Sequence, residues 1–169
     1  MYKIVLDTET TGLDFKKHKL VEIGAIELNS RNRPTGLFFH AYINPKRKVS
    51  FEAEQVHGLT FDFLKNYPTF NQVKKDFLKF IEGKELIGHN LFFDLAFLNH
   101  ELKFNLKNKT TDTLPLARKA FPGKRCSLDA LCGYYHIDTS ARYYHGALLD
   151  AKLLSDVYRN LIKKKQSPL

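Results

Sequence analysis

Four carboxylates lie inside apolar segments of this chain, and burying them constrains what it can fold into. Asp7 and Glu9 stand in Ile4-Val-Leu-Asp-Thr-Glu-Thr-Thr-Gly12, Asp94 in Gly88-His-Asn-Leu-Phe-Phe-Asp94, and Asp150 in His145-Gly-Ala-Leu-Leu-Asp150. A lone ionised group in such surroundings is costly. The fold must therefore bring these segments to one place, where they share a counter-charge. Hard divalent cations suit an all-oxygen donor set.

The spacing supports that convergence. Asp7 and Glu9 are two apart on a strand, so both side chains leave one face. The run Ile4-Val-Leu6 marks that strand as central, and its end is where ligands bind in open α/β sheets. Asp94 has Leu91, Phe97 and Leu98 at helical neighbour positions, and Asp150 shares a stripe with Ala147, Leu154, Val157 and Leu161. Both acids therefore point inward from helices. Holding four negative charges together uncompensated costs several kcal/mol. Two divalent cations cancel them, and a pair of ions roughly 3.5–4 Å apart is the arrangement used for in-line attack on a phosphodiester. His145 precedes Asp150 by five residues, about 140° around a helix. With Gly146 between it and the helix body, it can sit on a loop over the acids. An imidazole titrates near neutrality and suits a general base.

Along the chain, residues 2–9, 20–28 and 36–43 read as strands, with Asn32-Arg-Pro-Thr-Gly36 as turn residues, giving an antiparallel meander. Helices are expected over 69–82, 91–103, 128–135 (capped by Ser127) and 147–163, with short strands at 85–88 and 110–113. The helix over 91–103 is apolar nearly all round and should be heavily buried, with His89 and Asn90 offering capping groups. This order implies an α/β fold with a mixed sheet and helices on its faces. One domain is expected over 1–162, followed by a basic flexible tail over 163–169.

The 169 residues suit a single core, and 27 Lys and Arg against 18 Asp and Glu give a net charge of +9. With the clustered acids held by metal, the remaining surface is more basic still and fits a polyanion. No apolar run reaches the ~20 residues of a bilayer span. The short apolar N-terminus is not a secretory signal, so a cytoplasmic protein without membrane contact is expected. Cys126 and Cys132 lack metal-ligand neighbours and read as reduced, packed thiols.

Together these segments resemble the three exonuclease motifs of the DEDD superfamily, on a ribonuclease-H-like fold. Asp7 and Glu9 match the first motif, Asp94 the second and Asp150 the third. One branch of the superfamily places a Tyr four residues before the last Asp, the other a His five before it. Here Gly146 and His145 hold those places, with Tyr143 and Tyr144 off register, so the chain is similar to the histidine branch. Within it, Val56-His-Gly58, Phe121-Pro-Gly-Lys-Arg125, Ser127-Leu-Asp-Ala-Leu-Cys132 and His145-Gly-Ala-Leu-Leu-Asp-Ala151 resemble the proofreading (epsilon) subunits of bacterial DNA polymerase III over about residues 2–160.

The resemblance implies a five-stranded sheet with helices on both faces. It also implies 3′–5′ hydrolysis of single-stranded DNA at its 3′ end, releasing nucleoside 5′-monophosphates. Asp7, Glu9, Asp94 and Asp150 would hold two Mg²⁺, replaceable by Mn²⁺, with Asp94 contacting metal directly or through water. His145 would be the base. Thr10, Thr11, Glu52 and His57 would hold the terminal nucleotide, with Glu54 a second candidate beside Glu52. Polymerase III holoenzyme subunits are the implied partners, and a sliding clamp is a candidate through Gln166-Ser-Pro-Leu169. Lys16, Lys17, Lys124 and Arg125 are candidate phosphate contacts, and Arg142 is a candidate mobile gate. Two alternatives stay open: an exoribonuclease of the same branch trimming RNA ends or short oligoribonucleotides, and a non-catalytic nucleic-acid or polymerase accessory module.

Overall fold

Three apolar, β-rich stretches joined by polar turns build one side of the sheet. β1 (Lys3–Thr10), β2 (Leu20–Leu28) and β3 (Pro34–Tyr42) form the expected antiparallel meander. β4 (Glu85–Gly88) and β5 (Thr110–Asp112) join in parallel on the other side of β1, giving the order β3-β2-β1-β4-β5. The computed structural model describes residues 1–166, with side chains through Lys163.

Seven helices complete the described residues: α1 (Phe51–His57), α2 (Phe61–Leu64), α3 (Phe70–Ile81), α4 (Leu91–Leu102), α5 (Thr113–Ala120), α6 (Leu128–Tyr134) and α7 (Ala147–Gln166). The expected basic tail begins inside α7, which runs on to Gln166. The rest of that tail, and of the clamp-like Gln166-Ser-Pro-Leu169, lies outside the described residues.

The two faces of the sheet carry separate cores. Ile4 and Leu6 pack with Phe77, Ile81, Phe97 and Leu98 of α3 and α4. Val5 packs with Leu131, Leu154 and Val157 of α6 and α7. Both faces being covered explains why β2 is buried at every position rather than only at alternate ones. It also explains why Ile4, Val5 and Leu6 are all inaccessible to solvent. Cys126 and Cys132 are free, buried thiols in the α6–α7 core.

Three local expectations are corrected. Thr113, expected in the last strand, opens α5 instead, because the Asp112 carboxylate accepts the Leu114 N–H and caps a new helix. The same carboxylate accepts the N–H groups of Asn90 and Leu91, at 2.9 and 3.1 Å, so a side chain from β5 caps α4. His89 instead bridges the Thr113 hydroxyl and the Cys126 carbonyl. Nor is α4 buried all round, since Phe92 is 78% exposed. Ser127 does cap α6, its hydroxyl accepting the Ala130 N–H.

One glycine fixes where α7 begins. Gly24 lies opposite Asp7 in the β1–β2 register. A Cβ there would stand 2.2 Å from the Leu148 nitrogen and 2.3 Å from the Ala147 carbonyl carbon, both backbone atoms that cannot swing aside. The first turn of α7 thus rests directly on β2, and Glu22 secures it by accepting the Ala147 N–H at 3.0 Å. Gly24→Ala should push α7 off the sheet, destabilising the fold by roughly 1–3 kcal/mol. At about 2–4 °C per kcal/mol for a chain of this size, the thermal midpoint drops by several degrees. An unchanged midpoint in a melting experiment would contradict this packing.

Candidate active site

β1 presents Asp7 and Glu9 on the face that α7 covers, and α7 presents Asp150 toward them from its first turn. Asp150 is 3% exposed, and its stripe partners Ala147, Leu154, Val157 and Leu161 are all buried. His145 lies just before α7, held by its N–H donating to the Val56 carbonyl at the end of α1. The Tyr144 ring lies against Gly58, which caps α1 in the left-handed conformation at φ +72°.

The ligand atoms of Glu9, His145 and Asp150 all lie within 4.8 Å of one another. Asp7 is half-buried beside them, where Asp94, Glu9, Asp150 and Glu22 all act on its carboxyl. The buried Asp94 approaches from α4, but its Oδ1 accepts the Thr8 hydroxyl at 2.6 Å. The structure thus brings Glu9, His145 and Asp150 together with Asp7 beside them, and leaves Asp94 at the margin, tied to β1 through Thr8.

Three of the four acids are held in an environment hostile to their charge. Burial, then repulsion from Asp94, Glu9, Asp150 and Glu22, pushes Asp7 well above the usual carboxylate range. Burial followed by repulsion from Asp150, Glu22 and Asp94 raises Glu9 to about 8. Burial raises Asp94 to about 7, against the hydrogen bonds from Thr8. Burial would also raise Asp150, but the adjoining His145 and the hydrogen bonds and charge of Arg142 outweigh it and hold the carboxyl low. Such a cluster favours protons for want of positive charge, and its oxygen donors fit hard divalent cations.

The sign of the resulting pH dependence follows. Asp7, Glu9 and Asp94 are raised, so between the ordinary carboxyl range near 4 and about 8 the fold binds protons that the unfolded chain has released. Metal-free stability therefore falls as pH rises through that window. Asp150 has the opposite sign, and its contribution is lost only as pH falls below its ordinary range. Without metal, the thermal midpoint should drop by several degrees between about pH 5.5 and 8.5, and saturating Mg²⁺ should remove that slope. Identical slopes with and without Mg²⁺ would count against metal binding at these acids.

Arg142 closes the cluster. Its Nε and Nη2 donate to both oxygens of Asp150, at 2.6 and 2.7 Å, and Nη2 lies 2.9 Å from His145 Nδ1. Its Nη1 pairs with Asp129 of α6.

Beside the cluster is a cleft of about 690 Å³ lined by Thr8, Glu9, Thr10, Leu13, Glu52, His57 and Phe93, among others. Glu52 lines it and Glu54 does not. The buried His57 accepts the Leu59 N–H at Nδ1 and donates from Nε2 to the Thr10 carbonyl, so it is the neutral Nε2–H tautomer. Burial lowers its pKa, which favours that form. Thr11 is fully buried, and its hydroxyl serves Lys19 and His18 rather than the cleft. Of the four basic candidates, Lys17 lines the cleft; Lys16, Lys124 and Arg125 stand outside its lining. A larger hollow of about 1330 Å³, between the end of α3 and residues 104–109, holds none of the motif residues.

Sequence reasoning missed Glu22, which faces Glu9 across the β1–β2 ladder. An acid two residues before a glycine, in a mostly apolar strand, was the available signal. His40 Nε2 holds its second oxygen at 2.7 Å.

The sequence model of the exonuclease family matches residues 4–158. The chain is 51% identical over 174 residues to the DNA polymerase III subunit epsilon of Rickettsia typhi, covering 98% of this chain and 76% of that protein. It is 49% identical over 169 residues to the Escherichia coli subunit epsilon, covering 92% and 69%. Among solved structures, exonuclease X in complex with 5′ overhanging duplex DNA superposes with a TM-score of 0.78 at 21% identity, covering 98% of this chain and 93% of that one. The nuclease domain of 3′hExo bound to rAMP gives 0.76 at 18%, covering 96% and 92%. These two likenesses concern the fold.

Proposed function

The chain belongs to the exonuclease family, and on that premise we propose that it hydrolyses the 3′-terminal phosphodiester of single-stranded DNA, releasing nucleoside 5′-monophosphates as a replicative proofreader. The observation carrying this reading is the convergence of Glu9, His145 and Asp150 within 4.8 Å, beside the half-buried Asp7 and a cleft of nucleotide size. Exonucleases of this acidic type are dependent on divalent metal. The metal proposed here is Mg²⁺, as a pair of ions, with Mn²⁺ able to replace it.

Asp7, Glu9 and Asp150 would hold the cations, with Asp94 completing the set directly or through water. When bound, these ions supply an acidified water and neutralise charge on the leaving 3′-oxygen. The rest belongs to the chain. His145 takes the proton of the attacking water at a ring nitrogen. The cleft seats the terminal nucleotide between Leu13, Phe93 and α1, with Glu52 at its wall and the His57 ring fixed to the Thr10 carbonyl. The net charge of +9 favours approach of a polyanion despite the acidic centre.

The likeness to polymerase III epsilon subunits supports other polymerase III subunits as partners. The proposed compartment is the cytoplasm, and among the described residues no helix is long and apolar enough to cross a membrane.

The test is digestion of 3′- and 5′-labelled single strands, DNA and RNA, with and without Mg²⁺. Mononucleotide release from the 3′ end of DNA, dependent on Mg²⁺, is expected. Preferential digestion of RNA would transfer the assignment to an exoribonuclease of the same branch. Absence of any digestion would overturn the enzymatic reading.

A further inference from the structure

The segment between α6 and α7 is open to solvent at Asp138, Ser140, Ala141, Tyr143 and Tyr144, yet the Arg142 side chain is only 6% exposed. Its guanidinium reaches inward to two residues of the reactive cluster. It grips Asp150 through both oxygens, the bidentate geometry that gives arginine–carboxylate pairs their strength, and it donates to His145 Nδ1. Asp129, itself 64% exposed, holds the outer nitrogen from α6.

Each contact has a consequence for the proposed chemistry. Both oxygens of Asp150 are engaged by a cation of the chain's own. His145 Nδ1 lies 2.9 Å from the Arg142 donor and 3.4 Å from Asp150 Oδ2; the nearer, donor-only guanidinium takes its lone pair, which puts the proton of the neutral imidazole on Nε2. Neither a cation ligand nor a base facing the cleft through Nε2 is available in that arrangement. The grip is also the weaker of two choices. Arg142 brings one positive charge to four clustered acids, whereas two divalent cations bring four.

We propose that Arg142 is a built-in counter-cation, which holds Asp150 and His145 in a closed, unreactive arrangement and must withdraw before divalent cations seat in the cluster. This inference rests on the reading of the cluster as a metal site. Arg142 is then a positioning residue, setting when Asp150 and His145 become usable. The apparent metal affinity is reduced by the fraction of molecules in which Arg142 is withdrawn.

The test is Mn²⁺ binding by calorimetry, without substrate, to wild type, Arg142→Gln, Arg142→Lys and Asp129→Asn. Arg142→Gln should bind Mn²⁺ about tenfold more tightly, as expected when the closed form is about 90% populated. Asp129→Asn removes only the outer anchor and should shift affinity the same way by less; it covers the case in which Arg142→Gln unfolds. Arg142→Lys, which keeps the charge but not the fork, should fall between wild type and Gln. A second readout is the ¹⁵N spectrum of the His145 ring, which should report the Nε2–H tautomer without metal and change on adding Mg²⁺ in wild type, but not in Arg142→Gln. Equal or weaker Mn²⁺ affinity in both the Gln and Asn variants, with wild type binding normally, would overturn the counter-cation role alone. Failure of every protein to bind Mn²⁺ would instead overturn the metal-site reading beneath it.

Discussion

Asp150→Ala is expected to lower turnover on single-stranded DNA by on the order of 10³-fold or more while the protein stays folded. The loss is large because Asp150 is the one acid of the four whose carboxyl is held low, and therefore charged at neutral pH. Asp7, Glu9 and Asp94 all lean toward protonation without metal. Asp150 is thus already ionised when Arg142 gives way to a cation, and no neighbour can replace it from α7. Stability should change little, because two effects oppose each other. Removing Asp150 leaves Arg142 with Asp129 and His145, and breaking a buried pair costs about 3–5 kcal/mol where the partner cannot escape. Arg142 sits on a surface segment and can turn to water, which reduces that cost. Removing Asp150 also relieves repulsion on both Asp7 and Glu9. Activity assays and circular dichroism on the same preparation separate the outcomes. A folded Asp150→Ala protein retaining a tenth of wild-type activity would remove Asp150 from the metal site.

The parts of this molecule legible in the sequence are those with a period. Asp7 and Glu9 share a face because strands repeat every two residues. Asp150 points inward because Ala147, Leu154, Val157 and Leu161 repeat at helical spacing, and all four are buried. Features without a period were not legible. α1 and α2, at 7 and 4 residues, are too short for an apolar stripe to form, and α6, also 7 residues, was legible through its Ser127 cap. Glu22 and Gly24 matter because of the residues opposite them, Glu9 and Asp7, and because α7 touches that point of β2. That is information about register and backbone approach, which no single segment contains. Asp94 falls between the two cases. Its inward direction followed from its neighbours Leu91, Phe97 and Leu98, but its bond to Thr8 depends on where α4 meets β1. Arg142 was singled out as a gate from its closeness to His145; its bidentate hold on Asp150 required the path of the loop.

His145→Ala is expected to lower turnover by ~10²-fold or more, with the change confined to chemistry. The imidazole is 45% exposed, so its loss opens no enclosed cavity to destabilise the fold. Asp150 keeps Arg142 in its metal-free form and its oxygens for cations when they bind. The diagnostic is the pH–rate profile at saturating Mg²⁺. Without enough metal, protonation of Glu9 and Asp94, at about 8 and 7, would itself depress the rate as pH falls and imitate a missing base. Bound cations keep those carboxyls ionised, so the acid-side loss that remains in wild type belongs to the group that accepts the proton. That loss should be absent in His145→Ala, whose residual rate should depend instead on hydroxide and rise steadily with pH. If the variant keeps the wild-type acid limb under saturating Mg²⁺, another group takes the proton, and His145 serves only to orient Asp150.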